Sequence, residues 1–408
     1  MNARRRVLLC WEAGANRGHL LTLAGVAKAI AGRASVHARL CRMDHASILT
    51  PYCADIARGW PLKMQRPTAE ERARASRYKL TWAMWLKARG YGDPEYLRAA
   101  FEWWRDTIWA LQPALVVSDY APTALMAARA LGIPSVAVGN VFGLPPADMA
   151  RFPVIGRHEA EQDLDQEAFC AQINETLVPT GLLPLNRLPE IYHSALSFPN
   201  GLSLCDPYEA WRHRTPLLPF DEMPELSTGT GDVVFAYLPA RQVSDDTVLA
   251  ALTRVDLPTL LVAPLLSDAI LARLQQNPML DIRRTPVPVE EIVRRARLIL
   301  CIGQGGTTAL AVLSGLPYLA LPSDQEKANN AQGVSVLRSC RYIAQKDRSE
   351  TGIVTALHEM WHDPSLGASA RANARALRAT YDAAPVDTLR LALTPFVMPM
   401  EVPKPQGL

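Results

Sequence analysis

A glycine-rich turn between a buried strand and a helix is the part of the sequence best suited to bind an anion. The apolar run at 298–302 is followed by Gly303, Gln304, Gly305 and Gly306. Because glycines lack side chains, the N–H groups of such a turn can approach a ligand, and Thr307 and Thr308 are expected to cap the following helix. The positive end of that helix would favour a diphosphate without a metal ion. The alternative is a tight turn that holds no ligand.

A histidine and an aspartate, each placed after an apolar strand, could together perform acid–base chemistry. His19 opens the first helix, and Asp119 follows the apolar run at 114–118. Imidazole titrates near neutral pH and can accept the proton of a hydroxyl group, and a neighbouring carboxylate would fix its tautomer. Alternatively, His19 only packs near the helix start, and Asp119 only caps the next helix. The loop before His19 supplies four further candidate positions for contact with an acceptor or a phosphate: Gly14, Asn16, Arg17 and Gly18.

The elements that must position these residues alternate between short apolar runs and segments of helical period, which predicts an α/β fold. Helices are predicted at 20–31, 122–131 and 289–297. The pattern indicates two doubly wound, Rossmann-like domains facing each other across a cleft, with ligands at the carboxyl ends of the strands. The predicted strands are 7–11, 35–41, 115–118, 135–138, 233–237, 259–263, 298–302 and 318–321.

Composition and charge narrow the class of protein. Lys and Arg number 43 against 40 Asp and Glu over 408 residues, a net charge of +3 that does not favour nucleic-acid binding. The seven cysteines are scattered without a C-x-x-C pair, which favours a reducing compartment. The apolar run that ends before Glu12 is too short for a secretory signal, and no run reaches the roughly 18 residues that span a bilayer. We expect a cytoplasmic protein, able to lie at the inner face of the membrane.

Two other segments allow a functional and a structural interpretation. His358 to His362 form the pattern H-E-x-x-H, which can bind zinc on a helix, but Asp363-Pro-Ser ends the helix and no third histidine follows. We therefore predict no metal site. Five tryptophans with interleaved basic residues could form an acceptor platform, a surface resting on lipid, or a helix core. They are Trp82, Trp85, Trp103, Trp104 and Trp109.

The segment at 303–331 resembles the donor signature of inverting nucleotide-sugar glycosyltransferases of the GT-B architecture, the group of the UDP-glycosyltransferases and MurG-like enzymes. The resemblance rests on the order of Gly303–Thr308, Gly315-Leu-Pro317, Asp324-Gln325 and Asn329-Asn-Ala331. It implies that the turn holds the donor diphosphate and that Asp324 and Gln325 bind hydroxyls of the transferred sugar. It further implies that His19 is the general base and Asp119 its partner. Many relatives have His in place of Cys301 and a ribose-binding Glu in place of Leu310.

The resemblance implies transfer of a sugar from a nucleoside-diphosphate sugar to a small-molecule or lipid-linked acceptor, with no further cofactor. It places an acceptor-binding domain at 1–215, a Pro- and Gly-rich linker at 216–232 and a donor-binding domain at 233–365. The tail at 366–408 is expected to cross back to the first domain. Two alternatives remain for the function. One is a nucleotide-sugar epimerase of the same fold, and the other is a non-catalytic relative that binds a donor or stabilises a partner.

Overall fold

The computed structural model describes residues 4–14, 17–63, 70, 78–156, 162–381 and 383–398. They belong to two units. The first comprises the described residues up to Asn200, together with Pro207–Leu217 and those from Ala383 onward. The second comprises Gly201–Asp206 and the described residues within Leu218–Asp382. Within these ranges, every helix is too short or too polar to cross a lipid bilayer.

Each unit holds a six-stranded sheet in which all neighbouring strands are parallel. The strands of the first unit are β1 Arg5–Trp11, β2 Ala34–Leu40, β3 Cys53–Arg58, β4 Leu115–Asp119, β5 Ser135–Asn140 and β6 Leu196–Asn200. Those of the second unit are β7 Val233–Tyr237, β8 Thr259–Val262, β9 Leu280–Arg283, β10 Ala296–Cys301, β11 Tyr318–Ala320 and β12 Cys340–Tyr342. The predicted class of two doubly wound α/β domains is confirmed.

Both sheets have the same strand order. The first runs β3-β2-β1-β4-β5-β6 and the second β12-β11-β10-β7-β8-β9. In each sheet the order reverses beside the first strand. In the first sheet, β2 and β3 lie on one side of β1, and β4, β5 and β6 lie on the other; in the second sheet, β8 and β9 lie on one side of β7, and β10, β11 and β12 lie on the other. At such a reversal the connections diverge, and a crevice opens at the carboxyl ends of the two central strands. The positions that can bind ligands are therefore the ends of β1 and β4 and the ends of β7 and β10.

Helices lie between and after the strands of the two units. They are α1 Arg17–Ala29, α2 Trp82–Leu86, α3 Pro94–Leu111, α4 Pro122–Ala130, α5 Gln166–Leu177, α6 Ala240–Val243, α7 Asp246–Arg254, α8 Asp268–Leu274, α9 Val289–Arg295, α10 Gly305–Ser314, α11 Gln325–Val334, α12 Glu350–His362, α13 Pro364–Arg378 and α14 Pro385–Val397. A π-helical turn at Lys87–Tyr91 continues α2. Short 3-10 helices lie at Ala46–Ile48, Val178–Thr180, Leu188–Tyr192, Ser203–Cys205, Glu209–Trp211 and Gln345–Asp347.

The two faces of β1 supply the cores on either side of the first sheet. Val7, Leu9 and Trp11 are buried in a layer that includes residues of α1 and α14. Leu8 and Cys10 alternate with them and are buried in the layer that includes α3 and α4. This alternation is the period of two expected of a strand covered on both faces. It decides which face each residue at the end of β1 enters.

The last two helices belong to different units. Helix α14 packs against α1 in the first unit, where Arg5 donates a hydrogen bond to the carbonyl of Phe396 (3.1 Å) and Arg33 donates one to the Thr394 hydroxyl (3.1 Å). Helix α13 packs against α10 in the second unit. The close approach of Gly315 to α13 leaves no room for a side chain, since a Cβ there would lie 2.8 Å from the Cα of Arg371.

Glu12, directly after β1, is a fully buried carboxyl group. It lies at the N-terminus of α4, where its Oε1 accepts a hydrogen bond from the Ala124 N–H (2.7 Å) and its Oε2 accepts one from the Thr123 N–H (3.2 Å). Burial raises the pKa of Glu12 to about 8, because desolvation of the charged form outweighs these hydrogen bonds. A side chain of the protein therefore occupies the N-terminus of α4, the position where an external anion could otherwise bind.

Replacing Glu12 by glutamine should flatten the pH dependence of the stability of the first unit. The folded state keeps a proton that the unfolded state releases between the ordinary pKa of 4.5 and about 8. The free energy of unfolding of the wild type therefore falls as the pH rises through this window, by at most about 1.4 kcal/mol per pH unit. Tryptophan fluorescence during urea unfolding reports on this unit, because every tryptophan except Trp361 lies in it.

The control is Glu95→Gln, which removes an exposed carboxylate from α3. This variant should keep the slope of the wild type. Glu12→Gln should also lose some stability at low pH, since its amide NH₂ group would face one of the two helix N–H groups. Parallel pH profiles for the wild type and Glu12→Gln would contradict a buried titrating carboxyl group at this position.

Candidate functional site

The strand ends at the reversal of the first sheet bring a histidine and an aspartate together. Trp11 and Asp119 are direct partners in the parallel pairing of β1 with β4, so their side chains enter the same face of the sheet. Helix α1 begins above this point and carries His19 in its first turn. The His19 Nδ1 lies 3.0 Å from the Asp119 Oδ1, which is a hydrogen bond. Residues 100 positions apart in the sequence thus form the dyad that the sequence predicts.

Aromatic rings hold the imidazole from two sides. The Trp11 ring stacks on it at 5.3 Å between ring centroids, and the Tyr120 ring meets it edge-on at 4.8 Å. Tyr120 has a left-handed backbone (φ 48°), which is uncommon for a residue with a side chain. Its ring fills the space beside Gly143, where a Cβ would lie 1.8 Å from the ring. Trp11 and Tyr120 were not among the candidate residues, although they occupy the last position of β1 and the position after Asp119.

The side chains of His19 and Asp119 differ sharply in exposure. The Asp119 side chain is 1% exposed and that of His19 is 14% exposed. Burial raises the pKa of Asp119, and the neighbouring imidazole opposes this shift. The Asp119 Oδ2 is buried and has no hydrogen-bond partner among the residues that the structure describes. The carboxylate therefore depends on His19 for its charge stabilisation, and a positive imidazole would be favoured beside it.

The loop before α1 leaves space for the second nitrogen of the imidazole. Gly14 has φ 113°, and a Cβ at this position would lie 2.3 Å from the His19 Nε2. Only glycine fits, both because of its backbone conformation and because the imidazole edge lies against it. Arg17 and Gly18 are exposed at the start of α1, and Gly18 has open space around it. Asn16 lies outside the described residues.

The tryptophan-rich segment divides between a packed core and a cluster beside the dyad. Trp104 is buried within α3 and Trp109 is largely exposed on the same helix. In contrast, the buried Trp82 and the half-buried Trp85 stack on each other at 4.4 Å, and both meet the Tyr120 ring edge-on at 5.9 Å. The Trp82 Nε1 donates a hydrogen bond to the Tyr192 hydroxyl (2.6 Å). The aromatic cluster thus continues from His19 through Tyr120 into α2.

In the second unit, the glycine-rich turn lies at the reversal of the sheet between β7 and β10. Gly303 has φ 87°, and a Cβ there would lie 2.6 Å from the carbonyl oxygen of Lys327. The Gln304 side chain joins the two central strands, since its Oε1 accepts a hydrogen bond from the Ile302 N–H (3.1 Å) and its Nε2 donates one to the Tyr237 carbonyl (3.4 Å). The buried Asn330 donates a hydrogen bond to the Gly303 carbonyl (2.9 Å). The turn is therefore held in one conformation.

Among the described residues, no side chain caps the N–H groups in the first turn of α10. Gln304 is the N-cap residue and makes no cap hydrogen bond, so the expectation that Thr307 and Thr308 cap this helix is wrong. Thr308 is fully buried, its N–H is bonded to the Gln304 carbonyl, and its hydroxyl lies 2.9 Å from that of Tyr318. It supports the turn from the core and is not placed to touch a donor. Gly305, Gly306 and Thr307 keep the geometry of an anion site.

Asp324 is the N-cap residue of α11 and forms an ion pair with Lys327 in the first turn. The Asp324 Oδ1 accepts a hydrogen bond from the Lys327 N–H (3.2 Å), and its Oδ2 lies 3.4 Å from the Lys327 Nζ. The same ammonium group lies 3.2 Å from the Glu326 Oε2 and is mostly buried. Gln325 is half-buried in the first turn of α11. Lys327 was not among the predicted site residues, although it lies within the segment that carries the resemblance.

The two departures from the resembled signature have structural roles of their own. Cys301 is fully buried, and its Sγ accepts a hydrogen bond from the Gly303 N–H (3.3 Å). Burial raises the pKa of the Cys301 thiol to about 12, so it remains neutral and stabilises the turn. Leu310 is buried in α10 and places an apolar side chain where many relatives have a ribose-binding Glu. Leu310 therefore offers no carboxylate to a ribose.

The H-E-x-x-H motif lies on α12 as predicted, but its histidines have other partners. The His358 Nε2 is hydrogen-bonded to Asp256, and the rings of His358 and His362 stack at 5.9 Å. Across the described ranges, no three His, Cys, Asp or Glu side chains are grouped so that they could hold a metal ion. The motif is thus a surface feature of the late helix in the second unit.

Comparison with known proteins identifies the fold. No protein-family model matches the chain, and none of the curated proteins matches it. Among solved structures, the glycosyltransferase VinC in complex with DTDP is 16% identical, with 96% of this chain and 99% of VinC covered and a TM-score of 0.65. The calicheamicin glycosyltransferase CalG4 is 15% identical (98% and 100% covered, TM-score 0.67), and the spinosyn rhamnosyltransferase SpnG is 18% identical (95% and 99%, TM-score 0.61). The chain has the fold of the GT-B glycosyltransferases.

Replacing Gly303 by alanine should destabilise the second unit by about 1–3 kcal/mol. The positive φ and the carbonyl oxygen of Lys327 both exclude a Cβ at this position. The matched control is Gly306→Ala in the same turn, where a Cβ would have no neighbour within 4 Å. Alanine is the better helix former, so this variant should not lose stability. Urea unfolding, monitored by circular dichroism, measures the stability of both variants. Equal stability of the two variants would contradict the close packing of Gly303 against α11.

Proposed function

We propose that this protein, which has the GT-B fold, transfers a sugar from a nucleoside-diphosphate sugar to a hydroxyl group of an acceptor, with inversion at the anomeric carbon. The observation that carries this proposal is the 3.0 Å hydrogen bond between the His19 Nδ1 and the Asp119 Oδ1 at the strand ends of the first sheet. The uncapped N-terminus of α10, at the equivalent place in the second sheet, supports it as a place for the donor diphosphate.

His19 is the proposed general base. In the proposed reaction Asp119 accepts the Nδ1 hydrogen bond, and Nε2 takes the proton of the acceptor hydroxyl. As this proton moves to Nε2, the acceptor oxygen forms a bond to the anomeric carbon, and the bond between that carbon and the phosphate oxygen breaks. The single in-line displacement inverts the anomeric carbon. The buried Asp119 carboxylate stabilises the positive imidazole that results, and proximity supplies much of the remaining rate.

The diphosphate leaves with an additional negative charge, which the first turn of α10 is arranged to receive. The N–H groups of Gly305, Gly306 and Thr307 and the positive end of the helix stabilise this charge. We propose that these groups, without a metal ion, hold the donor phosphates. Asp324 and Gln325 would bind hydroxyls of the sugar, and the ion pair with Lys327 would orient the Asp324 carboxylate. The DTDP bound to VinC supports a nucleoside diphosphate as the ligand of this fold.

The acceptor is proposed to be a small molecule that lies against the aromatic cluster of the first unit. CalG4 is a calicheamicin glycosyltransferase, and SpnG is a spinosyn rhamnosyltransferase. In this chain the rings of Tyr120 and Trp85 continue from His19, and Trp85 keeps part of its surface exposed. Such a wall favours an apolar acceptor body, because burying apolar surface contributes about 25 cal/mol per Å².

Replacing His19 by alanine or Asp119 by asparagine should lower kcat by about two to four orders of magnitude, because each change removes the positioned base. Donor affinity should stay nearly unchanged, since the proposed donor residues lie in the other unit. Release of nucleoside diphosphate from a panel of UDP- and TDP-linked sugars, with and without hydroxyaryl acceptors, measures the rate. The control is His193→Ala, which removes an exposed histidine of the same unit. Release that needs no acceptor, or an unchanged rate in His19→Ala, would contradict the proposal.

Replacing Gly306 by aspartate should weaken binding of free UDP or TDP by more than about tenfold, because a carboxylate would occupy the anion site of α10. Gly306 is exposed, with space around it, and an acidic residue in the first turn favours a helix, so the second unit should stay as stable as before. Calorimetric titration with EDTA present measures the affinity. Gly306→Ala is the uncharged control. Equal diphosphate affinity in the two variants would show that the donor diphosphate does not bind at the N-terminus of α10.

A further inference from the structure

Arg89 lies in an unusual backbone segment beside the aromatic cluster. The chain leaves α2 through the π-helical turn Lys87–Tyr91, in which Arg89 (φ −102°, ψ 19°) and Gly90 (φ 106°) depart from helical values. Gly90 packs so closely on the Tyr96 ring that a Cβ would lie 2.6 Å from it. π-Helical turns and positive φ angles carry a cost in stability and are frequent at functional sites. This turn directs the Arg89 side chain back over Trp85.

The Arg89 guanidinium is a half-buried cation without an anionic partner among the described residues. Its central carbon lies over the Trp85 ring, 5.6 Å from the ring centroid. Its Nε is buried and has no hydrogen-bond partner in the described ranges. Burial lowers the pKa of Arg89, and no neighbouring carboxylate offsets the shift. A cation that has lost part of its hydration without gaining an anion is a binding site for one.

Four other basic side chains of the first unit differ from Arg89 in this respect. They lie within 4 Å of a carboxylate, which is the ordinary arrangement for partly buried cations. The pairs are Lys63 with Asp93, Lys79 with Asp163, Arg105 with Asp106 and Arg129 with Glu190. Arg89, beside the aromatic cluster, lacks the carboxylate that these four cations have.

The aromatic cluster connects Arg89 with the dyad. From the guanidinium, the next ring is Trp85, which meets Tyr120 at 5.9 Å, and Tyr120 in turn meets His19 at 4.8 Å. The rings of Trp85 and Tyr120 thus form a continuous row between the guanidinium and the imidazole. A ligand that places a hydroxyl group at His19 would lie along these rings with its far end toward Arg89.

We propose that Arg89 binds an oxyanion on the acceptor, so that the acceptor class is an apolar hydroxy compound that carries a carboxylate or a similar acidic group away from the reacting hydroxyl. This inference rests on the proposed function, since it assigns the acceptor of that reaction. Arg89 binds and orients the acceptor and takes no part in proton transfer. The planar guanidinium suits a carboxylate because it can donate two parallel hydrogen bonds.

The test uses two probes that differ in charge alone, a hydroxynaphthoic acid and its carboxamide. Each is titrated calorimetrically into the full-length protein without donor. The wild type should bind the acid at least about tenfold more tightly than the amide, as expected for a charge-assisted hydrogen bond. Arg89→Met keeps much of the apolar contact with Trp85 and should abolish this preference, while affinity for the amide changes by less than about twofold. Arg89→Lys should keep part of the preference.

The matched control is Arg98→Met, which removes an exposed cation from α3 and should leave the preference intact. Equal affinity of the wild type for both probes, absence of binding by both, or a preference that survives Arg89→Met would overturn the inference. These measurements need no turnover, so they are separate from the test of the proposed function. Acceptor-dependent diphosphate release without an acid preference defeats this inference alone. An Arg89-dependent acid preference without diphosphate release defeats the proposed function alone.

Discussion

The hydrogen bond between the His19 imidazole and the buried Asp119 carboxylate is the interaction on which the site of the first unit depends. A carboxylate so deeply buried is costly unless a donor or a positive charge lies beside it, and its Oδ2 has no other partner in the described ranges. The strand order supplies that partner, since β1 and β4 are neighbours only because the connections reverse between them. The rings of Trp11 and Tyr120 contact the imidazole, and Gly14 leaves room for its edge.

The two units have different chemical groups at the equivalent crevice of their sheets. In the first, a side chain of the protein, Glu12, occupies the N-terminus of α4, and the crevice holds the hydrogen-bonded pair of His19 and Asp119. In the second, no side chain caps α10, so its N–H groups are available to an anion. The difference follows from local sequence, an acidic residue after β1 and a glycine-rich turn after β10. Two sheets of the same strand order thereby carry different groups at their central strand ends.

Sequence patterns predicted all eight interior strands and none of the four edge strands, β3, β6, β9 and β12. Interior strands are covered on both faces and read as apolar runs, whereas edge strands such as Leu280–Arg283 are short and partly polar. The site residues that could be predicted from the sequence are likewise those placed by the strands. His19, Asp119 and Gly303 stand at strand ends and were predictable. The burial of Thr308, the ion pair of Lys327 and the isolation of Arg89 depend on helix register and packing, which a sequence pattern does not specify.

The protonation of His19 tests the central claim most directly. NMR of the protein with isotope-labelled histidine reports which ring nitrogen carries the proton. We expect the neutral ring to carry it on Nδ1, with a strongly deshielded proton from the hydrogen bond to Asp119, and we expect this signal to disappear in Asp119→Ala. A neutral ring protonated on Nε2, or a signal that persists in Asp119→Ala, would contradict a carboxylate-oriented base and with it the proposed chemistry of the first unit.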